Sequence, residues 1–240
     1  MHINEGTSKI KLDIPEFKCD NSLGAHIQDP MPSSHHMMVM AGAPGSGKSS
    51  LALGLLLTKG ESRVYRKVFH NVFVFMPLHS MHSLKKNTFE NHDPEKTFHE
   101  IDSESLEKVY AMVQGFAGDE KNSLIVIDDM TADLKNNDNL KFLTMLINNR
   151  RHLRLSLWFL VQSYIAIPLS LRKVVSHLVM FHPSNKKEYL SLFEELLHLP
   201  RHVADAITQY VFKNKHDFLV VDIVNGNLYR NFNKLSFVDV

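Results

Sequence analysis

The chain has 240 residues and a formal net charge of +1, long enough for one sizeable domain with its own core. Apolar residues make up 44% and charged residues 22%. These are ordinary globular fractions, and no strongly basic nucleic-acid surface shows in the total. Cys19 is the only cysteine, and no apolar run approaches the roughly 20 residues of a membrane helix. A disulfide scaffold and a spanning protein are therefore excluded, and the expectation is a soluble protein in a reducing intracellular compartment, with no signal segment at its start.

Residues 1–35 carry Pro15, Pro30 and Pro32 among many polar residues and read as an N-terminal arm. A short edge strand is compatible with Ile10, Leu12 and Ile14 alternating with Lys11 and Asp13. Residues 36–240 read as one nucleotide-binding domain. Met37-Met38-Val39-Met40-Ala41 is an apolar run of buried-strand length, and it leads directly into Gly42-Ala43-Pro44-Gly45-Ser46-Gly47-Lys48-Ser49. That is G-x-x-x-x-G-K-S, the phosphate-binding P-loop. The apolar stretch from Ser50 to Leu57 then reads as a helix packed on a sheet. Strand, glycine-rich turn and helix start are the context the motif needs. The glycines let successive backbone N–H groups point at a phosphate, and the helix N-terminus adds partial positive charge. Lys48 is expected to reach the β- and γ-phosphates of ATP, and the Ser49 hydroxyl to hold Mg²⁺.

A basic cluster from Arg63 to Lys67 precedes a second buried strand over 68–77, closed by Pro77. Residues 78–100 are polar and read as a loop. A helix over 103–116, capped by Ser103, shows Leu106, Val109, Tyr110 and Val113 on one face. The run Leu124-Ile125-Val126-Ile127-Asp128-Asp129 is a buried strand ending in acid at the sheet edge where ligands bind. Asp128 is expected to hold Mg²⁺ opposite Ser49, and Asp129 to orient or deprotonate water. The spacing between the two motifs leaves room for an inserted strand and helix, the arrangement of many motor ATPases. A helix over 138–149 leads through Arg150 and Arg151 to the strand 155–163, whose polar end puts Gln162 beside Asp128 with reach to a γ-phosphate or lytic water.

After Ile167-Pro168 come a short helix or turn, a strand over 176–181, helices over 186–199 and 201–212, and a hairpin around Asn225-Gly226. In the second of these helices Val203, Ile207 and Tyr210 are expected to face inward. The expected fold is α/β and RecA-like: a mostly parallel central sheet flanked by helices, with a C-terminal hairpin. The fifteen histidines are scattered; His35-His36 and His79-x-x-His82 have neither cysteine partners nor an H-E-x-x-H pattern, so no metal site is expected from them.

Over about residues 36–182 the chain resembles the genome-packaging ATPases of large DNA viruses, the poxvirus-like type within the HerA/FtsK superfamily. The resemblance rests on the P-loop at 42–49, the strand 72–77, and the paired aspartates in 124–130. Arg151-His152-Leu153 before a strand ending in Gln162-Ser163-Tyr164, Ile167-Pro168, and residues 174–181 complete it. It implies a homo-oligomeric ring, pentamer or hexamer, that hydrolyses ATP between subunits and moves double-stranded DNA into a capsid. Arg151, with Arg150 as second choice, is then the arginine finger offered to a neighbour's γ-phosphate. It also implies work at a viral assembly site in the host cytoplasm or in association with the virion, without stable membrane insertion, and docking on a capsid or portal-region protein. In that family the second acidic position is often glutamate, where this chain has Asp129. Lys85, Lys86, Arg172 and Lys173 are candidate DNA contacts. Two other readings stay open: a P-loop kinase of a nucleotide or other small molecule, and an ATP-binding assembly module without translocation.

Overall fold

A computed structural model describes residues 22–81, 88–183, 189 and 192–237. The proposed edge strand at 10–14, Cys19, His82, Lys85 and Lys86 lie outside the described residues.

Five strands and the helices between them set up the functional rim. Strand β1 (Met37–Ala41) is followed by helix α1 (Lys48–Leu57). Next come β2 (Asn71–Phe75), a short helix α2 (Leu78–Met81) and a two-residue strand β3 (Thr97–Phe98). Helix α3 (Ser103–Gly118) leads to β4 (Ser123–Asp128), and α4 (Asn137–Asn148) to β5 (Leu155–Val161). A one-turn helix α5 (Leu169–Arg172) precedes β6 (His177–Phe181). Helix α6 (Arg201–Val211) and the strands β7 (Phe218–Asp222), β8 (Asn227–Arg230) and β9 (Asn233–Lys234) complete the described chain.

The strands form one sheet in the order β3-β2-β4-β5-β1-β6-β7-β8-β9. The first six in that order run parallel, and the last three reverse direction at each step. Parallel strands covered on both faces need apolar residues on both faces, which is why β1 reads as an unbroken apolar run. Its residues divide accordingly. Met37, Val39 and Ala41 join the core beneath α3, α4 and α6, which contribute Leu106, Leu143 and Ile207 among others. Met38 and Met40 face the opposite core with Ala52 and Leu55 of α1 and with Leu23, Ile27 and Met31. Residues 22–36 thus lie against the α1 face; Tyr65 closes the contact by donating its hydroxyl proton to the Pro32 carbonyl (2.8 Å).

Several local expectations are corrected. Asp102, not Ser103, caps α3: its carboxylate accepts from the Ser105 N–H (2.8 Å) while the Ser105 hydroxyl accepts from the Asp102 N–H (3.1 Å). In α6 the buried residues are Ala204, Ile207 and Val211, whereas Tyr210 is exposed beneath the cations of Lys213 and Arg230. The strand expected over 68–77 is the shorter β2, because residues 65–68 close a turn through the Val68 N–H and Tyr65 carbonyl (3.0 Å). The polar stretch 78–100 contains β3, whose Phe98 stacks on Phe75 with ring centroids 4.7 Å apart. Of the helix expected over 186–199, the described part ends in a π-helical turn, Phe193–Leu197.

Candidate active site

The register of the sheet brings the two sequence motifs to one rim. Ala41, the last residue of β1, pairs with Val161 of β5, and Asp128, the last residue of β4, pairs with Leu160. The P-loop therefore leaves the sheet beside the aspartate pair and Gln162. The Gly42 N–H still donates to the Val161 carbonyl (3.1 Å), so the loop starts from a fixed point. A side chain at Gly42 would meet Phe181 Cβ at 2.7 Å and Ser46 Oγ at 2.8 Å, so only glycine fits there. Gly47 adopts φ 115°, a conformation L side chains rarely take, and it opens directly into α1. No side chain caps α1 at Gly47, which leaves its first N–H groups to a phosphate.

Lys48 Nζ donates to the carbonyls of Gly42 (2.6 Å) and Ala43 (3.2 Å), holding the amine at the loop. Burial lowers its pKa, and the nearby charges of Asp128 and Asp129 work in the other direction. The Ser49 hydroxyl donates to Asp128 Oδ2 at 2.7 Å. Asp128 is buried, and that burial raises its carboxyl pKa against the opposing pull of Ser49 and Lys48. Two hard oxygen donors so placed, one of them a carboxylate strained by burial, suit a divalent cation.

Asp129 turns away from the strand direction with φ 59°, and its N–H donates to the Leu160 carbonyl (3.2 Å). Its carboxylate is held from two sides. Gln162 Nε2 donates to Oδ1 at 3.0 Å, and the Ser80 hydroxyl donates to Oδ2 at 3.3 Å. Gln162 thus contacts the second aspartate of the pair rather than the first. A cavity of about 450 Å³ connects these groups. Pro44, Gly45, Gly47, Lys48, Ser49 and Ser50 line one wall; Asp128, Asp129 and Gln162 line the other. Gly42, Ala43 and Ser46 form the back of the loop, with the Ser46 carbonyl accepting from His216 Nδ1 (2.9 Å).

The two arginines are elsewhere. Arg150 and Arg151 precede β5 and so belong to the opposite rim, where they line a separate cavity of about 170 Å³ with His35, His36, His177 and Asp222. Arg150 Nη1 donates to the Ile147 carbonyl at the end of α4 (3.0 Å), while Arg151 is exposed. Of the candidate DNA contacts, Arg172 is ion-paired with Glu195 at 2.8 Å and packs over Tyr164, while Lys173 is exposed. Among the described residues no cluster of three or more His, Cys, Asp or Glu is placed to hold a metal.

Two cavity residues escape a reading of the sequence. Ser80 sits on α2 in a stretch that reads as polar loop, and His216 lies 170 residues from its partner Ser46. Neither belongs to a motif; only the fold brings them to the rim.

Fold and site together define a RecA-like P-loop ATPase. A family model described as "Poxvirus A32 protein" matches residues 27–221. The chain belongs to that family. Among solved structures it is similar to the genome packaging NTPase B204 of Sulfolobus turreted icosahedral virus 2 in complex with ATP-gammaS, at 14% identity and TM-score 0.59, covering 83% of this chain and 98% of that one. It is also similar to B204, the DNA-packaging ATPase from Sulfolobus turreted icosahedral virus, at 15% identity and TM-score 0.59, covering 81% of this chain and 96% of that one. ATPases 2 and 3 of EssC from Geobacillus thermodenitrificans align at 13% identity and TM-score 0.52, covering 85% of this chain and 41% of that one. At such identities these likenesses establish the fold. No curated protein sequence matches the chain significantly.

Proposed function

We propose that this protein is the ATP-hydrolysing motor that drives viral double-stranded DNA into a capsid. Membership of the poxvirus A32 family and the shared fold of the B204 packaging NTPase support that reading. The observation that carries the hydrolytic part is the Gln162–Asp129 hydrogen bond across the cavity from Lys48. A carboxylate and an amide held together at the γ-phosphate end are suited to water as the nucleophile, with no acceptor pocket required.

In this reading the P-loop amides and the Lys48 ammonium take the β- and γ-phosphate charge. Ser49 and Asp128 would hold Mg²⁺, which when bound neutralises phosphate oxygens. Asp129 accepts a proton from the attacking water, and Gln162 fixes both the carboxylate and the water. Asp129 is one methylene shorter than glutamate, and the Gln162 and Ser80 hydrogen bonds keep it aimed. Arg151 serves a neighbouring subunit's γ-phosphate in a ring of five or six copies. Capsid or portal-region protein is the docking partner, and the viral assembly site in the host cytoplasm is the place of work, with some protein retained in the virion. Among the described residues no helix is long and apolar enough to cross a membrane.

The test is phosphate release from ATP with and without double-stranded DNA. Release stimulated by DNA and abolished in Lys48→Ala is the expected result. Phosphate transfer to an added nucleoside monophosphate would instead make the protein a kinase, and binding without turnover would make it an assembly module.

A further inference from the structure

The cavity has two ends, and the chemistry described so far occupies only one. On one side of β1 lie β5 and β4, which deliver Gln162, Asp128 and Asp129. On the other side lies β6, then β7 running the opposite way, with Phe181 paired to Phe218. That reversal puts the residues just before β7 at the P-loop rim. His216 is one of them. It is exposed, it lines the cavity, and its Nδ1–H donates to the Ser46 carbonyl at 2.9 Å. The ring nitrogen is also 3.6 Å from where a Cβ on Gly47 would stand, which fixes its closeness to the phosphate loop.

A polar network holds this loop in place. The neighbouring Asp217 accepts from Asn214 N (2.9 Å) and Asn231 Nδ2 (3.2 Å) and pairs with Arg230 at 2.8 Å. Arg230 and Asn231 in turn belong to β8 and the residue after it. The C-terminal hairpin therefore acts as a bracket that presents His216 to the loop. A triphosphate lying along the P-loop with its γ end at Asp129 and Gln162 carries its nucleoside at the other end, where His216 stands.

We propose that His216 is the nucleoside-recognition residue of this site: its imidazole, tethered to the Ser46 carbonyl, forms a platform for the base of the bound nucleotide. The proposal rests on the reading of the cavity as an ATP site. A base stacked on an aromatic ring has appreciable affinity and tolerates ring replacement. Two variants and two probes separate this role from a structural one. His216→Ala should weaken a non-hydrolysable ATP analogue about tenfold and leave inorganic tripolyphosphate affinity unchanged. His216→Phe, which keeps a ring but loses the tether, should recover most of the analogue affinity. Equal weakening of both probes would mean that His216 acts only by shaping the loop, and no weakening of either would remove it from the site; both results overturn the proposal. Failure of the wild type to bind the analogue would overturn the ATPase reading and this proposal together, whereas tight wild-type binding with an unchanged His216→Ala overturns this proposal alone.

Discussion

A buried carboxylate at the end of a strand destabilises the protein that carries it, and Asp128 is in that position. Burial raises its pKa above the ordinary 3.8, more than Ser49 and Lys48 pull it down. The folded state therefore favours the protonated acid more than the unfolded chain does. The stability linked to this group is fully present below its unfolded pKa and is lost as pH rises through the folded one. At neutral pH the nucleotide-free protein bears that cost, and Asp128→Asn should remove it. We expect Asp128→Asn to melt a few degrees higher than wild type at pH 7, with the difference vanishing as the pH falls below 3.8. The same variant should lose ATP turnover. A lower melting temperature at pH 7 would show that the Ser49 hydrogen bond outweighs burial. The residues of this pair were legible from sequence because strand, loop and acid have fixed spacing. Their contacts were not: whether Gln162 meets Asp128 or Asp129 depends on the left-handed turn at Asp129, which no local pattern announces.

At the scale of elements, β1 is locked to β5 by more than backbone. His36, just before β1, accepts from Trp158 Nε1 (2.9 Å), and its Nδ1–H donates to the Ser34 carbonyl (2.8 Å). Complete burial pushes its pKa down to about 3. His36→Ala leaves a buried indole N–H unpaired and a void beside Tyr65 and Trp158. A loss of about 2–4 kcal/mol in denaturant unfolding at pH 7 is expected. The unfolded chain takes up a proton near 6.5 while the folded histidine stays neutral down to about 3. The stability His36 provides is thus present above 6.5 and declines as pH falls below it. The gap between wild type and His36→Ala should narrow on acidification through that window; a constant gap would mean His36 is not held neutral. The strands around this lock were readable because a two-sided apolar core demands unbroken apolar runs. The failures came where local signals were thin. Strand β3 has two residues, too few for a period, and exists because Phe98 can stack on Phe75. The cap of α3 went to Asp102 because its carboxylate and the Ser105 hydroxyl satisfy each other, a choice that neighbouring Ser103 makes ambiguous in sequence.

At the scale of the whole molecule, the candidate residues are divided between the two rims of the sheet. Strand β5 alone has seven residues, a length of about 23 Å. Arg151, which precedes its first residue, cannot reach the cavity at its end within one subunit, since no side chain spans such a distance. A role in hydrolysis requires a second copy to bring the far rim to the P-loop. We therefore expect Arg151→Ala and Asp129→Asn to be separately inactive in phosphate release, each still binding nucleotide. Mixing them should restore a fraction of wild-type turnover, because some interfaces in mixed rings pair an intact Arg151 with an intact Asp129. Mixed rings with no restored activity would remove Arg151 from the neighbour's site.

By itself the sequence determined the P-loop motif, the acid pair that ends β4, the succession of the longer buried strands along the chain and the family resemblance. Each of these depends on residues close together in the chain or on a repeating burial pattern, and local spacing encodes both. Only the tertiary structure decided that Gln162 and Ser80 share Asp129, that a hairpin loop brings His216 to the P-loop, and that Arg150 and Arg151 sit at the far rim. These depend on strand order and direction, and a one-dimensional pattern carries no information about which rim a connection returns to until the sheet has formed.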